Sequence, residues 1–387
     1  MHRISDEQRR IRLGRRQRLA PSTRVDDPVA AADAVVALHA TDAATVFLST
    51  CARLSTPGIE AVERALYDDV TLVRLLSMRR TLFAVSAELA PYVEASTAHA
   101  IAIKERSTLL AHLEEDGGGL DARWLGKAEE AVLAALDRGG PATGTQLSAD
   151  VPALRMKITV FPGKKYETVQ GVATRVIRVL AAEGRIRRDR PRGSWTSSQF
   201  RWTVGRTWPA VDAAEARVEL ARRWLLAYGP ATEADLKWWT GWSLGHVRKA
   251  LTAVAAEEVG LDGGAAGYVA PGDIGPDFAP EPWAALLPGL DPSAMAWADR
   301  GFHFDAEHRT ALFDRSGNIG PTVWWNGRII GGWAQRPDGE IVWRLLSDAG
   351  REASAAVETE ASRLAGWVGD ARITPRFRTP LERELSA

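Results

Sequence analysis

Cysteine is nearly absent. Cys51 is the one cysteine in 387 residues, so no disulfide can close within the chain, and the seven histidines fall at no CxxC or HExxH spacing. Structural zinc, redox-pair chemistry and, with them, any metal or cofactor are not expected. No stretch approaches the ~18 consecutive apolar residues of a membrane span; even AEEAVLAALDRGG carries charges at helical spacing. The N-terminal MHRISDEQRRIRLGRRQRLAP offers no apolar run for a signal-peptide core, which predicts a cytoplasmic protein without membrane contact. Net charge is lacking too, with 49 basic residues against 49 acidic, and this excludes a uniformly basic nucleic-acid binder.

What is present is an ordinary globular composition, 45% hydrophobic and 25% charged, with length for two or three domains at about 150 residues each. Beneath the neutral average the charge is unevenly placed. Arg3, Arg9, Arg10, Arg12, Arg15, Arg16 and Arg18 form one basic block, Arg185, Arg187, Arg188, Arg190 and Arg192 a second, and Lys157, Lys164 and Lys165 lie shortly before it. Positive charge is thus concentrated where it can meet phosphate.

Periodicity divides the chain into four parts. Residues 1–120 read as a helical region with a basic arm, in which DDPVAAADAVVALHA and GIEAVERALYDDVTLVRLLS repeat apolar residues at helical spacing, and a degenerate copy of the later units is possible. ATVFLSTCARL fits either strand or helix, and a short strand-like run follows Arg79 and Arg80. The glycines at 117–119 mark the first boundary. Residues 121–208 read as helix, short helix, long helix over YETVQGVATRVIRVLAAEG, then an arginine-rich hairpin, which is the order of a winged helix-turn-helix. The same order recurs over 209–275, with Thr232 and Ser243 as caps. From 276 to 387 the chain becomes β-rich, with hairpin turns at Asn326-Gly327 and Asp338-Gly339 and a terminal helix. The fold class expected is α+β, mostly α: tandem winged helix-turn-helix units with a C-terminal β-rich domain.

In such units the third helix enters the major groove and the wing follows the backbone. Arg79, Arg80, Lys164, Lys165 and the hairpin arginines Arg185, Arg187, Arg188, Arg190 and Arg192 are accordingly the candidate contacts to double-stranded DNA. The fifteen tryptophans, among them Trp238, Trp239, Trp242, Trp324, Trp325 and Trp333, read as core. The most suggestive small constellation is LHATD at 38–42, placed at the C-terminal end of the first strong helix. His39, Thr41 and Asp42 supply a base titrating near neutrality, a hydroxyl and a carboxylate, a set able to position and activate water.

The chain also resembles the winged-helix DNA glycosylase superfamily of the AlkZ and YcaQ type. The resemblance rests on RRIRLGRRQRLAP at 9–21, LHATDAATVFLSTCARL at 38–54, RRTLFAV at 79–85, LLPGLDPSAMAW at 286–297 and PTVWWNGRIIGGWA at 321–334, in order along the chain. It implies a concave DNA-binding face and hydrolysis of the N-glycosidic bond of alkylated, bulky or crosslinked purines, the chemistry of DNA repair and of self-resistance to genotoxic natural products. In that superfamily a motif of glutamine, an apolar residue, and glutamine or aspartate holds the attacking water. His39, Ala40 and Thr41 occupy those positions here, so the catalytic expectation is His39 and Thr41 with Asp42 assisting. Cationic alkylpurines are good leaving groups, and one positioned acceptor suffices without metal or cofactor. The alternative is a non-catalytic DNA-binding protein, a lesion sensor or regulator, using the same basic surface.

Overall fold

The computed structural model describes residues 2–116 and 118–387; of the glycine boundary at 117–119, Gly117 lies outside the described residues. The chain is a mixed, largely helical α/β protein whose described strands form five small sheets. Among the described residues no helix is long and apolar enough to cross a membrane.

The first helix, Asp6–Arg16, begins where Ser5 accepts a hydrogen bond from the Gln8 N–H, with acids in its first turn and arginines in its last. It is not a solvated arm. Arg12 is buried and donates to Asp273 Oδ2 and to the carbonyls of Asp273 and Gly275, while Arg16 forks onto Asp273 and Asp277. A Cβ on Gly14 would stand 2.6 Å from Trp283 Nε1, so only glycine permits this close packing.

Two stretches expected as helix are strand. Only Pro28–Asp33 is helical in the segment leading to the LHATD motif; Val36 then turns with φ 61, and Leu38–His39 form a strand. Val35, Val36, Ala37 and Leu38 are all at most 1% exposed, and a run buried on every side carries no helical stripe to distinguish it from a strand. Similarly, the helix from Ile59 continues through a wider turn to Asp68, Val70 breaks it at φ 52, and Leu72–Ser77 is a strand. It pairs antiparallel with Thr81–Ser86, whose other edge pairs with Leu38–His39. The ambiguous segment that follows the motif is helix, Ala43–Cys51, buried throughout and capped by Asp42.

Within 121–208 the helices Ala122–Gly139 and Gly144–Asp150 stand as expected, the second started by a capping box between Thr143 and Gln146. The long helix is shorter than its apolar pattern suggests. Residues Thr168–Gly171 pair with Lys157–Val160 in an extra hairpin, and the helix runs over Ala173–Ala182. β-branched Thr168 and Val169 favour the strand. The hairpin Ile186–Asp189 with Arg201–Val204 completes this unit, which has its own core around Leu125, Val132, Leu147, Val176 and Leu180.

The order repeats in Ala213–Tyr228, Glu233–Thr240 and Leu244–Val254, followed by the hairpin Glu257–Leu261 with Ala266–Val269. Strand Arg3–Ile4 adds to that hairpin in parallel. Four antiparallel strands, Ala284–Leu287, Thr322–Trp325, Arg328–Gln335 and Ile341–Leu345, make the last sheet, against which helix Gly350–Val368 packs. Trp324 and Trp333 lie in its core, as expected of them, and one large apolar cluster joins this sheet to the N-terminal region and to the repeated unit.

Candidate active site and DNA-binding cleft

A cleft of about 590 Å³ opens where four parts of the chain meet: the Leu38–His39 strand, the 72–86 hairpin, the Ala173–Ala182 helix with its hairpin, and the C-terminal segment around Arg376. Strand geometry turns alternate side chains to opposite faces. Leu38 and Ala40 point into the core, 0% and 1% exposed, while His39 and Thr41 line the cleft. The strand is held by its register, Leu38 opposite Ala84 and His39 opposite Phe83, and by Ala40 N–H donating to the Leu82 carbonyl at 2.9 Å. The expected helix end is therefore replaced by a short strand and a bend, and residues 39 and 41 both line the cleft.

His39 is nearly enclosed, with its ring edge-on to Phe83 at 5.4 Å. Burial, and then the charge of Arg79, push its pKa down to about 4, so the imidazole is neutral near pH 7. Nδ1 is buried without a hydrogen-bond partner, leaving Nε2 as the ring nitrogen that meets the cleft. Asp42 does not join them. Its Oδ1 accepts from Ala44 N–H at 3.1 Å, capping the next helix, and its Oδ2 accepts from Arg376 N–H at 2.9 Å. Both oxygens serve the backbone, and the side chain lies on the wall of a small separate pocket with Thr45 and Leu48. The expectation that Asp42 assists the water is corrected accordingly, because the step from strand to helix at 41–43 turns it away.

The expected DNA contacts divide sharply. Arg80, Arg187 and Arg188 line the cleft. Arg79 lies behind it, stacked 3.9 Å over Trp238, its pKa lowered by burial. Arg79 and Arg80 hold φ of 54° and 58°, left-handed conformations costing non-glycine residues on the order of 1 kcal/mol each. Arg185 is bonded to Glu129, and Arg190 to Glu63 and Asp68, so these two brace the hairpin against its neighbours. Arg192 is exposed at the hairpin turn, and Lys164 and Lys165 are exposed at the tip of the 157–171 hairpin; none of the three lines the cleft.

Sequence reasoning missed Arg74, Arg178 and Arg376, which complete a lining of six arginines and no carboxylate. Arg74 carried one legible signal, a lone charge within the apolar LVRLLS. Nothing local marks Arg376, which reaches Asp42 and the Thr41 carbonyl across 334 and 335 residues. Such a lining suits a polyanion, and the neutral imidazole and hydroxyl on its floor suit the holding of water.

Comparison with known proteins gives the family and the fold. The chain matches the family model described as DNA glycosylase AlkZ-like over residues 32–367. Its fold is similar to that of a solved structure, the Streptomyces sahachiroi DNA glycosylase AlkZ, with a TM-score of 0.72 and 24% identity, covering 97% of this chain and 99% of that one. No curated protein matches the sequence. With the family model spanning most of its length, the chain belongs to the AlkZ-like DNA glycosylases, hydrolases of the N-glycosidic bonds of DNA.

Proposed function

We propose that the protein excises alkylated purines, bulky or crosslinked ones included, from double-stranded DNA, with His39 and Thr41 holding the attacking water. The observation that carries this reading is the projection of His39 and Thr41 onto the floor of a six-arginine cleft without carboxylates. A cationic alkylpurine departs with its bonding electron pair, leaving an oxocarbenium-like sugar, and water adds to the anomeric carbon. His39, neutral and accepting at Nε2, orients that water and takes its proton; Thr41 supplies the second hydrogen bond. The tautomer this needs places the proton on the partnerless Nδ1, a cost on the order of 1–3 kcal/mol that the bound water at Nε2 helps to offset. A base this weak is adequate because an oxocarbenium ion needs little activation of its nucleophile. Asp42 positions the motif by tying it to the Arg376 backbone.

Residues 121–208 and 209–275 are read as winged helices, the first of which lines the cleft, 276–387 as the β-rich domain that adds Leu290, Asn318 and Arg376 to it, and 1–120 as the carrier of the motif. Arg80 and Arg187 contact the backbone at the cleft, and Lys164, Lys165 and Arg192 do so at its periphery.

The test is single-turnover incubation with duplex DNA bearing one N7-alkylguanine, followed by alkaline cleavage of abasic sites. His39→Ala is expected to slow excision by about 100-fold or more, with duplex affinity within about twofold of the parent. Because burial holds the imidazole pKa near 4, the parent rate should stay level from neutral pH downward and fall only as pH approaches about 4. Linkage runs the same way. The unfolded chain takes up the His39 proton first, so the contribution of this residue to stability is whole above about 6.5 and is lost as pH drops toward about 4. An unchanged rate in His39→Ala would remove the residue from the mechanism, and clear binding without excision of any adduct would favour the non-catalytic alternative.

A further inference from the structure

Among the cleft arginines, Arg74, Arg187, Arg188 and Arg376 are in a different state from Arg80 and Arg178, and Arg74 and Arg376 are the two whose charge bears on Arg188. Arg80 and Arg178 share Glu105. Arg74, Arg188 and Arg376 meet no carboxylate among the described residues. Arg188 is clamped 3.8 Å over the Phe200 ring with Trp202 nearby, and its Nε and Nη1 are buried without any hydrogen-bond partner. Arg74 donates only to Tyr67 Oη, at 3.2 Å. The Arg376 side chain reaches only the Thr41 carbonyl, at 3.5 Å. Glu63 and Asp68 are taken by Arg190, and Asp189, on the hairpin itself, pairs with none of the three.

An enclosed guanidinium without a counter-charge is unfavourable, and like charges beside it make it more so. Burial first, then repulsion from Arg74 and Arg376, lower the Arg188 pKa to about 10. The fold nevertheless holds the three together from distant parts of the chain. Strands Leu72–Ser77 and Ile186–Asp189 pack on one another, bringing in Arg74 and Arg188, and the Asp42 carboxylate pins the Arg376 backbone. Three convergent donor groups with unused hydrogen-bonding capacity are complementary to one tetrahedral, oxygen-rich anion.

We infer that Arg74, Arg188 and Arg376 form a binding site for a single DNA backbone phosphate immediately beside His39 and Thr41. The inference rests on the reading of the cleft as the place where the damaged nucleotide is held. Because Arg376 is bonded to both Asp42 and Thr41, a phosphate held there is in register with the motif, and the site sets which nucleotide along the strand presents its sugar to His39. It draws the C-terminal segment, which lies beyond the residues matched by the family model, into substrate positioning.

The experiment uses the full chain and a duplex carrying one stable abasic-site analogue, with affinity measured across a salt series. Arg188→Met retains an unbranched stem over Phe200 and removes the charge. It is expected to bind about tenfold more weakly and to lower the salt slope by about 1. Single methylphosphonate replacements along the lesion strand then locate the contact. At one position near the analogue, the neutral linkage should weaken the parent about tenfold while leaving Arg188→Met unaffected. Arg376→Gln, at an exposed residue whose backbone bond to Asp42 the substitution leaves in place, should respond to the same position and guards against a folding defect in the first variant. Parental affinity and slope in both variants, or equal methylphosphonate effects in parent and variants at every position, would overturn the site. Binding is read without excision, so the two proposals fail separately. Loss of coupling in a protein that excises sinks the phosphate site alone, and intact coupling in a protein that never excises sinks the catalytic reading alone.

Discussion

The N-terminal helix and the cleft wall are both rich in arginine, yet the fold uses them in opposite ways. In the helix, Arg12 and Arg16 are closed onto Asp273 and Asp277, Arg10 onto the Phe302 carbonyl, and Arg9 onto Asp6 and the Phe302 ring. In the cleft, Arg74, Arg187, Arg188 and Arg376 meet no acid among the described residues and line the cavity. The first group is an internal joint between the start of the chain and its second half. The second is a field aimed at a ligand. What separates them is where the aspartates fall after folding, so density of basic residues along a sequence is a poor guide to the site of a polyanion.

The contrast can be broken from the structural side first. Arg12→Ala removes three hydrogen bonds from a buried guanidinium and leaves Asp273 short of a partner. It is expected to lower unfolding free energy by about 3 kcal/mol in denaturant titration, while the salt slope of DNA binding by the folded protein stays at the parental value. A lowered slope would show that the helix reaches phosphate after all. Arg187→Ala should do the reverse, leaving the denaturation midpoint unchanged or raised as repulsion is relieved, and weakening duplex affinity by about fivefold. A destabilised Arg187→Ala protein would mean that the cleft arginines are structural too. The smallest effect belongs to Lys164→Ala with Lys165→Ala at the exposed hairpin tip, where affinity should drop by no more than about twofold, screened further by salt. A larger loss would extend the binding face beyond the cleft.

Much of the framework was legible from local chemistry. The capping boxes at Thr143 and Thr232, the caps at Asp121 and Ser243 and the Asn326-Gly327 turn stand where short-range rules place them. His39 and Thr41 were picked out by type and by resemblance. The backbone beneath them was misjudged, since the sequence reads as a helix end where Leu38–His39 is strand. The extra hairpin at 157–171 was hidden inside an apolar pattern that continues smoothly into the helix. Arg79 and Arg80 were selected as a pair, but the turn sends one behind the cleft onto Trp238 and the other into it.

By itself the sequence determined those features that depend on neighbours a few residues away: helix caps, hairpin turns, the exclusion of a disulfide, and the composition of a globular chain. Tertiary structure alone decided which arginines are neutralised, that His39 is buried enough to stay uncharged, and that Asp42 serves the backbone of Arg376 instead of water. The physical reason is range. Capping and turn formation act between groups in one stretch of backbone, whereas desolvation and ion pairing depend on which surfaces are pressed together, and here those surfaces come from opposite ends of the chain.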